Sequence, residues 1–361
     1  MTSKPRLTQV LWSLERAGAE RMVFDLITCL RERYDIRLLA AQGGAMEESF
    51  RSLEIDVTIA PVGLSKFQLI RFFRNQFRTH RPDILHTHLG ADVWAGMAAY
   101  SQRLHPWIST AHNDDRDDPI GRHLLRRSFA KRPDQTACVS HSVKHYMQVE
   151  FGVPAHKLVV IPNGIDLSTI EARPPRPFQD VPKLLTVGRL TKQKGHDVLL
   201  RALANIKRPW KLDICGDGPD RLRLERLVES LGILPRVNFL GVVSDVRHHL
   251  HEADVFCFPS RWEGQGIAML EAAASAVPLL LSDLPVFRDW FDEQTASFAP
   301  VDDVTAWTKA IEHILQHPYE AIKAATKAQA ITLQRGSREQ MALAYDQLYT
   351  RWLETYAHSS R

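Results

Sequence analysis

Cations that could hold a charged substrate follow a short apolar run in the second half of the chain. Arg189 and Lys194 come after the run Lys183–Val187 and precede a helix-like segment. Two fixed cations there suit a diphosphate, because arginine binds it in bidentate fashion and lysine adds a point charge. Taken singly, each residue could equally be a solvated loop cation.

Two carboxylates lie farther along the same half. Glu263 lies in a glycine-containing loop, and Glu271 lies inside a helix expected to begin near Gly266. A carboxylate can accept hydrogen bonds from neighbouring hydroxyls of a ribose or hexose, and N–H groups at a helix start bind phosphate. Glu263 alone could be a solvated loop acid. Glu271, beside Leu270 and several alanines, should be partly buried and therefore needs a partner or a ligand.

The elements that must position these residues are short strands alternating with helices. Their apolar runs are continuous, which is typical of parallel strands buried on both faces. The runs lie at 7–14, 36–41, 57–62, 84–89, 107–111, 136–140 and 158–162, and then at 183–187, 211–215, 237–240, 254–258 and 278–282. We therefore predict an α/β protein with two doubly wound, Rossmann-like domains facing a cleft, with ligands at the carboxyl ends of the strands.

A proline-rich polar stretch separates the two series of strands. Residues 172–183 have the composition of a linker. The predicted domains are therefore 1–171 on the acceptor side and 184–336 on the donor side. A helical segment, 337–361, is expected to pack back on the first domain.

Length and composition exclude several classes of protein. The 361 residues exceed one ordinary domain, and 44% hydrophobic with 24% charged residues is typical of a folded protein. Four separated cysteines without a CxxC pair argue against a disulfide scaffold or zinc ribbon and fit a reducing compartment. The sequence shows neither a signal peptide nor a membrane span, so we predict a cytoplasmic or peripheral protein. The net charge of +4 does not indicate a nucleic-acid partner.

The order of motifs in the second half resembles the retaining glycosyltransferases of family 4, which have the GT-B fold. The paired acids Glu263 and Glu271 match the E-x7-E motif of that family. The other matches are VIPNGID from Val160, GR followed by KG from Gly188, GDGP from Gly216, FLG from Phe239, and PS followed by EGxG from Pro259. Joint occurrence in this order is far more specific than any one motif.

The resemblance implies a donor site that needs no metal cofactor. Arg189 and Lys194 would hold the donor diphosphate, Glu271 the nucleotide ribose and Glu263 a hydroxyl of the donor sugar. Gly266 and Ile267 would add helix N–H groups. Charge develops on the leaving diphosphate, so cations and N–H groups fixed there supply the catalysis.

Three departures from the family pattern bear on the donor sugar. Gln265 stands where the family often has phenylalanine, and Ala276 where it often has glycine. Residues 282–285 replace a common Gly-Gly pair.

In the first half, the chemistry-bearing residues follow strand ends. Gly18 resembles the family's N-terminal glycine loop, which lies against the donor diphosphate; the loop is not GxGxxG, so a nicotinamide site is not indicated. His112 coincides with the family's cleft histidine, which hydrogen-bonds the donor sugar near the reacting centre. His88, Asn113 and Ser140 are acceptor-side candidates, although a histidine at a strand end is more often structural.

Three charged segments allow a second interpretation. Asp114–Asp118 is similar to a DxD metal motif, but DxD belongs to another glycosyltransferase architecture, so we interpret the segment as a loop and predict activity without divalent metal. Residues 66–81 and 122–132 are basic and amphipathic, which indicates either docking on an anionic membrane or a core-facing helix with a solvated back.

The sequence thus predicts a retaining, metal-independent glycosyltransferase. Its donor is a nucleotide sugar, with UDP the commonest nucleotide in the family. The acceptor is a saccharide or lipid-linked saccharide in cell-surface polysaccharide or lipopolysaccharide synthesis. Two alternatives stay open: a sugar-nucleotide epimerase of the same architecture, which would turn over without an acceptor, and a non-catalytic subunit that binds nucleotide sugar or glycan.

Overall fold

The computed structural model describes residues 4–88, 90–113, 120–171 and 173–359. They form two compact units, one made of the residues up to Gly164 and from Arg338 onward, the other spanning Ile165–Ser337. Each unit is built on one parallel β-sheet whose strands alternate with helices, which confirms the predicted pair of doubly wound α/β domains. Within these ranges no helix is both long and apolar enough to cross a bilayer.

The first unit has a seven-stranded sheet in the order β3-β2-β1-β4-β5-β6-β7. Its strands are β1 (Arg6–Leu11), β2 (Asp35–Ala40), β3 (Asp56–Ile59), β4 (Ile84–His88), β5 (Trp107–Ala111), β6 (Gln135–Cys138) and β7 (Leu158–Val160). Its helices include α1 (Gly18–Leu30), α2 (Glu47–Arg51), α3 (Lys66–Thr79), α4 (Ala91–Ser101), α5 (Ile120–Phe129) and α6 (His141–Val149). Every residue of β4, β5 and β6 is buried, including polar ones such as His86, Thr110 and Gln135.

The second unit has a six-stranded sheet in the order β10-β9-β8-β11-β12-β13. Its strands are β8 (Lys183–Val187), β9 (Lys211–Cys215), β10 (Val237–Gly241), β11 (Val255–Phe258), β12 (Leu279–Ser282) and β13 (Ser297–Ala299). Its helices are α7 (His196–Ala204), α8 (Arg221–Ser230), α9 (Arg247–Glu252), α10 (Ile267–Ala274), α11 (Pro285–Arg288), α12 (Val304–Gln316) and α13 (Pro318–Arg335). The sequence did not predict β13, whose residues Ser297–Ala299 include one large apolar side chain and no β-branched one.

The last helix, α14 (Arg338–Ser359), belongs to the first unit. Met341, Tyr345 and Tyr349 are buried in the same hydrophobic cluster as residues of β1 and α1. The hydroxyl of Tyr34 donates to Asp346 over 2.7 Å. The predicted return of the C-terminal helix to the first domain is therefore confirmed.

The units divide between Gly164 and Ile165 and not in the predicted linker 172–183. Two arginines of this proline-rich segment contact the carboxylate of Asp254. The nitrogen–oxygen distance is 2.7 Å for Arg176 and 3.9 Å for Arg173. Asp254 is completely buried and also accepts the backbone N–H of Lys183 over 2.9 Å. Because a buried carboxylate requires such donors, the segment is held against the second unit. The prolines of this segment therefore mark irregular backbone that packs on the second unit, and not a linker between the two domains.

Candidate functional site

The loops after β8 and β11 lie side by side at one end of the second sheet. β8 and β11 are neighbours, and the strand order reverses between them, so this is the topological switch point where open α/β sheets bind ligands. The first loop carries Arg189 and Lys194, and the second carries Glu263 and Gly266. Helices α7 and α10 begin where the loops end, and within the described ranges no side chain caps either N-terminus. Their first N–H groups are therefore available to an anion.

Hydrogen bonds hold the two loops together. The backbone N–H of Arg261 donates to the carbonyl of Gln193 over 2.7 Å, and the Gln193 side chain donates to the carbonyl of Trp262 over 2.9 Å. The Arg261 guanidinium also lies 3.1 Å from Asp197 and 2.7 Å from Asp302. Sequence reasoning missed Arg261, because its partners Asp197 and Asp302 are distant in sequence and no local motif marks it.

Glycines allow the loops to approach this closely. At Gly195, which has φ of +62°, a Cβ would lie 2.0 Å from the carbonyl oxygen of Pro259. At Gly216 a Cβ would lie 2.0 Å from the carbonyl oxygen of Gly188. These positions accept only glycine without a backbone shift. The glycines of the two motifs therefore set the spacing of the site.

Lys194 and Glu263 form an ion pair. The Lys194 ammonium lies 2.5 Å from the Glu263 carboxylate, and the Ser260 hydroxyl donates to the same carboxylate oxygen over 2.7 Å. The ammonium also lies 5.1 Å from the ring centre of Phe258. Glu263 is only 8% exposed, so it is not a solvated loop acid. The sequence predicted that Lys194 and Glu263 bind different parts of the donor. In the structure the two side chains contact each other.

The other donor-site candidates of the second unit lie on the loop after β8 and at or after the start of α10. Arg189 is exposed, and Glu271 is partly buried as the sequence predicted. The pKa of Arg247 is raised, chiefly by its hydrogen bond to Asp245, and the nearby Glu271 carboxylate adds to the effect. Sequence reasoning also missed Arg247, which no motif includes.

Ile267 begins α10 directly after Gly266, where a Cβ would lie 3.0 Å from two phenylalanine rings.

Ala276 occupies a backbone conformation that suits glycine. Its φ is +57°, in the left-handed region just after α10 ends. Glycine is the usual residue at such a helix end, because it has no Cβ to strain. A glycine at this position would relieve the strain that the alanine Cβ causes in this conformation.

In the first unit the predicted residues also gather near carboxyl ends of strands. Gly18 begins α1, His88 ends β4, and His112 and Asn113 follow β5. His88 is completely buried and lies 3.0 Å from His112, which is partly buried. The Ser140 hydroxyl caps α6 by accepting the backbone N–H of Val143 over 3.1 Å. Ser140 therefore has a structural role, and His88 contacts another histidine.

The histidines of this cluster are held neutral. Burial lowers the pKa of His112 to about 3. Burial, with the neighbouring histidines, also holds the pKa values of His86 and His88 well below their usual range. An imidazole away from water cannot easily take up a proton. At neutral pH each ring therefore offers one donor and one acceptor.

The basic segment 66–81 forms α3, and its apolar face is mainly core. Leu69, Phe73 and Phe77 are buried, whereas Phe67 is 85% exposed. Lys66 and all four arginines of the segment are exposed. The core-facing interpretation is therefore correct for most of the apolar residues, and a cationic face is left at the surface. Asp114–Asp118 lies outside the described residues.

Two family models match consecutive parts of the chain. The model described as Glycosyltransferase Family 4 matches residues 16–169, and the model described as Glycosyl transferases group 1 matches residues 169–331. The lipopolysaccharide core biosynthesis glycosyltransferase LpsE of Rhizobium meliloti is 26% identical over 92% of this chain and 95% of its own length. The O-antigen biosynthesis glycosyltransferase WclY of Escherichia coli is 27% identical over 55% of this chain and 56% of its own length.

Solved structures share the fold. HepE of Anabaena, solved in complex with UDP and glucose, superposes with a TM-score of 0.86 at 19% identity and covers 96% of this chain and 100% of that one. Sucrose-phosphate synthase from Thermosynechococcus elongatus superposes with a TM-score of 0.81 at 19% identity, over 98% and 100% of the two chains. Together with the two parallel-sheet units, these likenesses confirm the GT-B fold.

Proposed function

Because the chain belongs to glycosyltransferase family 4, we propose that it moves a hexosyl or N-acetylhexosaminyl group from a UDP-sugar to a saccharide or lipid-linked saccharide acceptor, with retention of configuration. The observation that carries the proposal is the Lys194–Glu263 pair beside the uncapped start of α10, at the switch point of the second sheet. The complexes of HepE with UDP and with UDP-glucose support a uridine nucleotide. The names of LpsE and WclY support lipopolysaccharide or O-antigen synthesis.

Each donor-site residue binds the part of the donor that suits its charge. Lys194 and Arg189 hold the diphosphate, with N–H groups at Gly266 and Ile267. Ser260 and Lys194 orient Glu263, which accepts a hydrogen bond from a hydroxyl of the donor sugar. Glu271 accepts hydrogen bonds from the ribose hydroxyls. When the glycosidic bond breaks, negative charge grows on the diphosphate, and groups already fixed in place stabilise it without reorganising.

We assign retention to attack on the face that the diphosphate leaves. The acceptor oxygen forms a bond to the anomeric carbon while the bond between that carbon and the phosphate oxygen breaks. The proton of the acceptor hydroxyl passes to the departing diphosphate. His112 holds the transferred sugar by a hydrogen bond. The sequence offers no strong candidate for a protein nucleophile, which favours this route over a covalent intermediate.

A nucleotide titration tests the donor site. We expect UDP to bind the purified protein in EDTA, because fixed cations and helix N–H groups replace a metal ion. GDP and ADP should bind more weakly, and uridine, which lacks the diphosphate, should bind least. The measurement is isothermal calorimetry with the four ligands at one ionic strength.

Two results of that titration would contradict the assignment. Binding of UDP only after Mg²⁺ is added would contradict metal independence. Equal binding of uridine and UDP would show that Arg189 and Lys194 do not hold the diphosphate.

We also propose that α3 docks the protein on the anionic inner surface of the cell membrane, next to a lipid-linked acceptor. The support is its exposed arginines and the exposed Phe67. With about 1 kcal/mol per basic residue near such a surface, changing Arg71, Arg74 and Arg78 to glutamate should weaken vesicle binding by at least about a hundredfold. Co-sedimentation with phosphatidylglycerol vesicles at two salt concentrations measures it.

A matched variant distinguishes docking from a change in net charge. Arg201, Lys207 and Arg226 are exposed in the second unit, and their change to glutamate alters the net charge by the same amount. We expect this control to bind like the unmodified protein. Equal losses in both variants, or no vesicle binding at low salt, would refute docking through α3.

A further inference from the structure

A chain of buried polar side chains runs from His112 into the first unit. His112 Nε2 lies 3.0 Å from His88 Nδ1, and His88 Nε2 lies 2.7 Å from Gln9 Oε1. Gln9 Nε2 donates to the hydroxyl of Tyr349, on α14, over 3.3 Å. Gln9, His88 and Tyr349 are fully buried. The C-terminal helix therefore reaches His112 through three hydrogen bonds, here called the α14 relay (Tyr349, Gln9, His88).

A second branch leaves Tyr349 in the other direction. Its hydroxyl lies 2.6 Å from His86 Nδ1, and His86 Nε2 lies 2.7 Å from the hydroxyl of Thr110. The Thr110 hydroxyl lies 2.9 Å from that of Tyr345, also on α14. Tyr345 is thus a second buried tyrosine of the same helix, and its hydroxyl bonds to this branch. Its ring lies beside that of Tyr349, with 6.0 Å between the ring centres.

With Gln9 Oε1 facing His88, the hydrogen bonds of the α14 relay assign the protons of His88 and His112. An amide oxygen only accepts, so the proton between Gln9 and His88 belongs to His88 Nε2. A neutral imidazole carries one proton, so His88 Nδ1 accepts, and the proton of the next bond belongs to His112 Nε2. At the other end, the Tyr349 hydroxyl accepts from the Gln9 amide, which leaves its own proton for His86 Nδ1.

We propose that Gln9 and Tyr349 are positioning residues that hold His112 in the tautomer protonated at Nε2, so that its Nδ1 presents a lone pair to a substrate hydroxyl. The assignment of a hydroxyl as the partner rests on the proposed function. The tautomer itself does not, because it follows from contacts within the first unit. His112 then accepts a hydrogen bond from the sugar and does not donate one to an oxyanion.

The neutral state of the three histidines agrees with this arrangement. A protonated His88 would place a second donor against the N–H of His112, and the burial that lowers its pKa disfavours that state. If each hydrogen bond ran in the opposite direction, the oxygen and nitrogen of the Gln9 amide would exchange places. The Tyr349 hydroxyl would then donate to Gln9 Oε1 instead of to His86 Nδ1. The order of protons therefore follows the orientation of the Gln9 amide between Tyr349 and His88.

The test is the tautomer of His112, read from the ring nitrogens by ¹⁵N NMR of histidine-labelled protein without substrate. We expect Nε2 protonated and Nδ1 unprotonated at neutral pH, with the signal assigned by the loss of one resonance set in His112→Asn. Tyr349→Phe and Gln9→Met should each produce a mixture of tautomers. Tyr345→Phe removes an equally buried hydroxyl from the same helix and should leave the tautomer unchanged.

Activity provides the second measurement. Tyr349→Phe should lower kcat/KM by about fivefold, as for the loss of one ordinary hydrogen bond, with Tyr345→Phe nearer the unmodified enzyme. His112 protonated at Nδ1, or at both nitrogens, would overturn the proposal, and so would an unchanged tautomer in both relay variants or an equal change in Tyr345→Phe. The unmodified protein decides the tautomer even if a variant fails to fold. A protein with the expected tautomer but no transferase activity would refute the proposed function alone.

Discussion

Replacing Lys194 with alanine will lower kcat by about 10²–10³-fold, the range measured when one fixed donor to a developing negative charge is removed. The ammonium lies 2.5 Å from Glu263 in a mostly buried position, so it cannot be replaced by a mobile cation from solvent. The measurement is the initial rate of sugar transfer at saturating donor. The calorimetric affinity for UDP should fall as well, because the diphosphate loses a charge-assisted hydrogen bond.

Loss of stability must be separated from loss of chemistry in this variant. Removing Lys194 leaves the Glu263 carboxylate buried without its cation, an arrangement that destabilises a fold by about 3–5 kcal/mol. The double variant Lys194→Ala/Glu263→Gln removes that charge and should recover most of the free energy of unfolding without recovering activity. Recovery of activity in the double variant would show that the single change acts through folding.

Lys192→Ala is the matched control for the same loop. Lys192 is exposed, two residues from Lys194, so the change removes an equal charge from the same segment. We expect near-normal rates and UDP affinity. Equal losses in the Lys192 and Lys194 variants would indicate a general electrostatic effect of the loop and would refute the assignment of Lys194 to the diphosphate.

Replacing Gly195 with alanine will destabilise the second unit by about 2–4 kcal/mol and abolish most activity. The residue has φ of +62°, which strains any side chain, and a Cβ would lie 2.0 Å from the carbonyl oxygen of Pro259. The contact is with backbone and cannot be relieved by a rotamer change. The loops after β8 and β11 must then move apart, which displaces Lys194 from Glu263. Urea unfolding monitored by fluorescence measures the change.

Gly232→Ala isolates the effect of the backbone angle. Gly232 has φ of +68°, close to that of Gly195, and its Cβ would meet nothing within 4 Å. We expect about 1–2 kcal/mol of destabilisation and normal kcat. A Gly195 variant no less stable than the Gly232 variant would show that the approach of Pro259 does not limit the site.

The strands and the loops that carry the candidate site residues were largely predictable, because each depends on a short stretch of sequence. Continuous apolar runs identified β11 and β12, whose residues are all buried, since a strand buried on both faces needs mostly apolar residues. The spacing of Glu263 and Glu271 and the glycine before Ile267 predicted a loop that runs into a helix, as α10 has it. Three-residue β13 left no such pattern.

The sequence by itself thus determined the two α/β halves, the family and the residues that carry charge at strand ends. Only the tertiary structure decided which of them meet. Lys194 pairs with Glu263 across 69 residues because β8 and β11 are neighbours in the sheet, and Tyr349 reaches His86 across 263 residues because α14 returns to the first unit. Local periodicity records that a segment is buried, but not the neighbour against which it is buried. That choice depends on strand order and on backbone approaches such as the one between Gly195 and Pro259, which long-range packing fixes.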